Sequence, residues 1–170
     1  MHGAIAIKVP RIFYPLTKVL DYFGARSSKR KSFSAQVRAA IENSHAQALQ
    51  RNDHCIEREH LLLSLLMQPP GKIHEVLNSL GCDMTRLQHQ IAEAMTTYPK
   101  SKPNVDPRFS KQAGDVLGLA CGIADGFDSA TIETEHLFLA MLKQENNLLV
   151  QTLGISYETF YTQLKKLSAN

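Results

Sequence analysis

The sequence predicts an all-α domain built from two tandem copies of one four-helix unit, arranged about a pseudo-twofold axis. Three observations carry this reading. Residues 33–95 and 109–167 repeat one another: Phe33-Ser34-x-Gln36 returns as Phe109-Ser110-x-Gln112, and Ile56-Glu57-Arg58-Glu59-His60-Leu61 returns 76 positions later as Ile132-Glu133-Thr134-Glu135-His136-Leu137. After a three-residue contraction, Leu80-Gly81 returns as Leu153-Gly154. In both copies the apolar residues recur at spacings of three and four, the period of one helix face, and no alternating strand pattern competes. Self-similarity at a fixed period means one supersecondary unit used twice, and a module of this kind is usually a binding surface rather than a reaction centre.

The first helix of each copy starts at a hydroxyl cap, Ser34 or Ser110, one residue after the repeated phenylalanine. Its apolar positions are Val37, Ile41 and Ala48 in copy one, and Ala113, Val116, Leu117, Ala120 and Ala124 in copy two. A polar turn, Arg51-Asn52-Asp53-His54 or Phe127-Asp128-Ser129, leads to the second helix. That helix is nearly all apolar: Leu61, Leu62, Leu63, Leu65 and Leu66, matched by Leu137, Phe138, Leu139, Met141 and Leu142. A short helix apolar on most faces has to be buried, so it is the expected centre of each copy. The third helix carries Ile73, Val76, Leu77 and Leu80 and stops at Gly81, as its twin stops at Gly154, because glycine accepts the left-handed backbone that ends a helix. The fourth begins beside Asp83 or Ser156 and continues through Met84, Leu87, Ile91 and Ala94, or Tyr157, Phe160, Leu164 and Leu167. Between the copies, residues 96–108 contain Pro99, Pro103 and Pro107 and read as an extended connector.

The net charge of +3 divides unevenly. Residues 1–32 hold Lys8, Arg11, Lys18, Arg26, Lys29, Arg30 and Lys31 against Asp21 alone, so a basic extension precedes a mildly acidic body. Within the extension, Ile12, Phe13, Leu16, Val19, Leu20 and Phe23 share one face of a short amphipathic helix. A tail or docking helix is the favoured reading of that segment, with an organelle-targeting peptide as the alternative. The body has no basic stripe with interleaved aromatics, which argues against nucleic-acid binding. No apolar run approaches the ~18 residues of a membrane span. Cys55, Cys82 and Cys121 form no CxxC pair and no metal-ligand spacing, which reads as reduced thiols in a cytoplasmic setting.

With the copies laid out, residues 33–167 resemble the Clp N-terminal (Clp repeat) domain that precedes the ATPase rings of Clp-type unfoldases. The resemblance rests on Glu57-Arg58-Glu59-His60-Leu61-Leu62-Leu63 and Glu133-Thr134-Glu135-His136-Leu137-Phe138-Leu139, where the family has Gly-Thr-Glu-His followed by leucines, and on Leu80-Gly81-Cys82-Asp83 and Leu153-Gly154-Ile155-Ser156. It implies a non-enzymatic protein-binding module of protein quality control, engaging client or adaptor proteins or docking on the Clp ATPase or protease. No GxxxxGK[ST] phosphate loop is present, so ATP hydrolysis by the family's mechanism is not expected of this chain.

Adjacent Glu and His project about 100° apart on a helix, so neither Glu-His pair forms the same-face ligand set of a zinc helix. The histidines read as helix-start groups bonding local backbone, near Arg58 and Thr134. No catalytic triad, cofactor or metal set emerges. In the unfoldases that this sequence resembles, the matching acids hold the guanidinium of phosphorylated arginine, which gives Glu59 and Glu135 the guanidinium role and sets Ser34 and Ser110 near the phosphate. Glu57 and Glu133 stand where the family has glycine, and Arg58 stands for its first threonine. The added carboxylates repel phosphate, so a general client groove of acidic or apolar character is expected instead. Three other readings stay open: the front domain of a longer Clp ATPase, a structural subunit docked on the protease core, and a small hydrolase on the same fold. The basic extension favours a free-standing protein over the first.

Overall fold

A computed structural model describes residues 31–144 and 148–169. The basic extension, up to Arg30, and its amphipathic face lie outside the described residues, and all that follows concerns the unit beginning at Lys31.

Copy one contributes α1 (Ala35–Gln50), α2 (Arg58–Leu66), α3 (Lys72–Ser79) and α4 (Met84–Ala94). Copy two contributes α5 (Lys111–Gly126), α6 (Thr134–Lys143), α7 (Leu148–Leu153) and α8 (Tyr157–Ser168). Among the described residues the architecture is therefore all-α, four helices per copy. The caps explain the starts. Ser34 and Ser110 accept the amides of Val37 and Ala113 at 3.3 and 3.2 Å. Asp83 and Ser156 do the same for Arg86 and Thr159 at 3.0 and 3.1 Å. The stops are glycines in the left-handed region, Gly81 at φ +75° and Gly154 at φ +63°.

Four two-residue strands, not anticipated from the sequence, stitch the copies together. β1 (Ser32–Phe33) runs parallel to β4 (Thr131–Ile132), and β2 (Cys55–Ile56) runs parallel to β3 (Arg108–Phe109). Each pair joins the entry to the first helix of one copy with the entry to the second helix of the other. The two junctions match in detail: Ser34 donates its amide to the Ile132 carbonyl at 3.0 Å, and Ser110 donates to Ile56 at 3.1 Å. Ladders of two residues are too short to show a period of two, and their partners lie about a hundred or fifty positions away in sequence, which hides them from pattern reading.

The leucine-rich helices form the core. On α6 every residue from Leu137 to Leu142 is at most 4% exposed, and on α2 Leu61, Leu62, Leu65 and Leu66 are at most 2% exposed. α1 packs chiefly on α2, and α5 chiefly on α6. The small buried residues Ala40, Ala48, Ala113, Ala120 and Ala124 allow that close approach. Phe138 on α6 meets Phe160 on α8 at 4.6 Å between ring centroids. Deleting such a side chain costs about 3–5 kcal/mol through lost transfer energy and the cavity left behind.

The connector is extended, as the three prolines require, but it is bonded along its first half. After a 3₁₀ turn at Met95–Thr97, Pro99 accepts the His54 amide at 2.8 Å and Ser101 donates to Asn52 at 2.7 Å. It lies as a strap over the α1–α2 turn.

Candidate functional site

Glu59 and Glu135 occupy the first turns of α2 and α6, where a carboxylate meets the positive end of the helix. The cap positions belong to Glu57 and Glu133, one residue before Arg58 and Thr134. The histidines act as helix-start groups, as the sequence implied: His60 Nδ1 accepts the Glu57 amide at 2.9 Å, and His136 Nδ1 accepts the Glu133 amide at 3.0 Å. That bond puts the ring proton on Nε2.

The two glutamates are nearly closed off, at 8% and 7% exposed, yet their oxygens are used in parallel ways. In copy one, Arg58 Nε donates to one oxygen of Glu59 at 3.0 Å and the Tyr98 hydroxyl, from the strap, donates to the other at 2.6 Å. In copy two, Lys72 Nζ donates to one oxygen of Glu135 at 2.9 Å and the Thr134 hydroxyl to the other at 3.3 Å. Each carboxylate thus holds one cation and one hydroxyl, with the matched positions Arg58 and Thr134 supplying the cation in copy one and the hydroxyl in copy two. Both arrangements also cross between copies. Lys72 opens α3 of copy one, and Arg58 Nη1 reaches Gln144 of copy two at 3.2 Å.

Burial pushes Glu135 up, but the Lys72 ammonium and its own backbone amide outweigh this and hold the carboxyl below its ordinary value. Lys72 is raised in turn by Glu135. Tyr98 is pushed well above the phenol range by burial and by Glu59, so it acts as a fixed donor.

Ser34 and Ser110 are also brought across the copies. The Ser34–Ile132 bond sets Ser34 beside the start of α6, which carries Glu135, and the Ser110–Ile56 bond sets Ser110 beside the start of α2, which carries Glu59. Their hydroxyls are already occupied as helix caps.

The sequence missed Lys72, Tyr98 and a buried cluster around Asp53, because these contacts are set by chain crossings rather than spacing. The Asp53 side chain is 0% exposed and accepts from Arg51 Nε at 2.9 Å, from His60 Nε2 at 2.8 Å and from Lys100 of the strap. Burial raises Asp53, but the bonds from Lys100, His60 and Arg51 prevail and leave it below the ordinary carboxyl value. In copy two this position is Ser129, and His136 instead meets the Phe127 ring at 5.0 Å. No group of three or more His, Cys, Asp or Glu residues able to hold a metal ion occurs among the described residues. No helix among them is long and apolar enough to cross a membrane.

Two copies of a four-helix unit, stitched by reciprocal backbone bonds and carrying matched first-turn carboxylates, define an all-helical two-repeat domain. The chain belongs to the Clp repeat (R) N-terminal domain family, which matches residues 32–167. The chaperone protein ClpB of Vibrio vulnificus (strain YJ016) is 30% identical over 127 residues, covering 73% of this chain and 15% of that protein. The chain therefore spans about 15% of the length of that curated relative. Among solved structures, the N-terminal domain of the ClpV1 ATPase from E. coli EAEC shares the fold with a TM-score of 0.72 and 20% identity, covering 91% of this chain and 90% of that one. A ClpV N-domain in complex with a VipB peptide shares it with a TM-score of 0.66 and 21% identity, covering 96% of this chain and 97% of that one.

Proposed function

We propose that this chain is a non-enzymatic protein-binding module of Clp-type protein quality control, recognising client or adaptor proteins or docking on the Clp ATPase or protease. Family membership supports the setting, and the ClpV N-domain of the same fold, captured with a VipB peptide, supports protein recognition as the activity. The observation that carries the reading is the cross-copy seat of Glu135. Its carboxylate already accepts an ammonium from Lys72, whose side chain is 59% exposed. An exposed lysine held by one charge-assisted bond exchanges for a partner's cationic side chain at small net cost. Glu59 is the tighter of the two sites, since the strap must release Tyr98 before a partner reaches it. Ser34 and Ser110 contribute through the backbone junctions that hold the two helix starts in place.

Affinity capture of the tagged chain from its native lysate, beside a Glu59→Ala/Glu135→Ala variant, tests this. Recovery of Clp ATPase or protease subunits in fixed ratio, lost with the variant, identifies an accessory subunit. A heterogeneous set of clients without Clp components, again lost with the variant, identifies a chaperone-like binder. Recovery of nothing that depends on the two glutamates sinks the assignment of the site.

A second reading, the front domain of a longer Clp ATPase, is favoured by the 15% share of ClpB that the chain covers. Immunoblotting of the native lysate for residues 109–167 separates the two, because a band several times larger than 19.0 kDa supports the longer protein.

A further inference from the structure

Copy two carries a row of aromatic rings that copy one lacks. Phe127 meets Tyr161 edge-on at 5.6 Å between centroids, and Tyr161 stacks on Tyr157 at 5.9 Å with 10° between ring planes. Two lysines lie over the row. Lys165 Nζ is 4.5 Å from the Phe127 centroid and 5.5 Å from that of Tyr161, and Lys143 Nζ is 5.7 Å from that of Tyr157. The three rings are half-buried and both lysines are exposed. At the Tyr157 end the row opens on a concavity of about 350 Å³ lined by Leu142, Lys143, Val150, Ser156, Tyr157 and Glu158.

The fold does not demand these residues. The corresponding positions of copy one hold Arg51, Gln88, Met84, Ala92 and Met67, and the same four-helix unit forms without them. Three half-exposed rings at a surface are a cost unless something covers them, and rigid aromatics with few torsions are the side chains that anchor protein contacts. The charge of the row is equally one-sided. Lys143, Lys165 and Lys166 have no ion-pair partner among the described residues. Asp125, two residues before Phe127, is taken up by Lys31 at 3.0 Å. Asp128 and Glu158 remain nearby and are outnumbered. A lysine whose ammonium lies over a ring is held at one place on the surface, so an incoming carboxylate meets a positioned cation at little ordering cost.

We propose that this row is a docking surface for an acidic amphipathic segment of a partner protein. The apolar residues of that segment lie on Phe127, Tyr161 and Tyr157, with one entering the concavity beside Leu142 and Val150, and its carboxylates meet Lys143 and Lys165. The surface shares no residue with the Glu59 and Glu135 sites, so it stands or falls independently of them.

The test is fluorescence anisotropy of the full chain with a labelled helical peptide, leucines at i, i+3, i+4 and i+7 and glutamates on the flanks, against the same peptide with lysine for every glutamate. The acidic peptide binds, and Lys143→Glu/Lys165→Glu weakens it by about tenfold or more, the loss of one or two charge-assisted contacts. Arg86→Glu, an exposed reversal on α4 of copy one, leaves binding unchanged. Tyr157→Phe/Tyr161→Phe keeps the rings and retains binding, while Tyr157→Ala/Tyr161→Ala loses it with the helical circular dichroism preserved. Equal binding of both peptides, binding of neither, or binding of the acidic peptide that ignores the Lys143 and Lys165 reversals overturns the proposal. The last of these outcomes is the signature of capture by the basic residues 1–32 instead.

Discussion

Asp53 shows how much a single position can decide. In sequence it is one polar residue of a four-residue turn. In the fold it is a fully buried carboxylate on which the first helix end, the second helix and the strap converge, through Arg51, His60 and Lys100. Removing the charge leaves His60 and Lys100 facing a neutral amide, and the buried imidazole loses its acceptor or keeps a weakened one. Asp53→Asn is therefore expected to lower unfolding stability by about 2–3 kcal/mol, read as a fall in the urea midpoint at constant slope. At the matching Ser129→Ala the expected loss is about 1 kcal/mol, because one hydroxyl bond to the Thr131 carbonyl is removed and no charge is stranded. Equal losses at the two positions would show that the Asp53 cluster adds nothing beyond turn geometry. The turn residues alone do not announce the cluster, since the strap that supplies Lys100 and Tyr98 arrives from some forty residues downstream.

At the scale of elements, the two copies share backbone devices even where their side chains differ. Four left-handed residues form matched pairs: Asn52 and Asp128 in the α1–α2 and α5–α6 turns, at φ +55° and +52°, and Gly81 and Gly154 after α3 and α7, while Asn104 of the connector stands outside the repeat. The glycine stops, the hydroxyl caps and the leucine-rich helices were legible in the sequence because each is a local rule, whereas Asn52 and Asp128 read only as turn residues. The cross-copy strands and the strap were not, because two-residue ladders and a proline-rich segment have no local rule to announce their partners. The glycines give a clean test. A Cβ built at Gly81 or Gly154 meets nothing within 4 Å, so Gly81→Ala and Gly154→Ala pay only for the left-handed backbone. Each is expected to cost about 1–2 kcal/mol, and the double variant about the sum, since the sites belong to separate helix ends. Thermal denaturation of the two single variants and the double variant checks both statements, and a cost near zero would mean that the stop turns relax without loss.

Across the whole molecule the matched histidines make stability depend on pH in a direction the geometry dictates. His60 and His136 both accept a backbone amide at Nδ1, so both are neutral in the fold, and adding a proton breaks the bond that starts α2 and α6. Burial pushes each imidazole below its ordinary value of 6.5, and the Asp53 carboxylate beside His60 does not reverse this. As pH falls below that value the unfolded chain takes up protons the folded chain resists, so stability is fully present on the neutral side and is lost through the lowered folded values. Asp53 and Glu135, held below their ordinary values of 3.8 and 4.5, add a second loss at more acid pH, when the unfolded carboxyls protonate first. The urea midpoint is therefore expected to decline from about pH 7 to about pH 5, before the carboxyls titrate. In His60→Asn/His136→Asn an amide oxygen takes the place of Nδ1, and neither of these two helix starts carries a group that titrates in that interval. The double variant starts less stable at neutral pH and loses most of the decline. If it keeps the parental slope, the pH dependence belongs to other groups and the two helix starts are not its origin. If the slope flattens, acid loosens the same two first turns that hold Glu59 and Glu135, and weaker partner binding in the same pH interval follows from one cause.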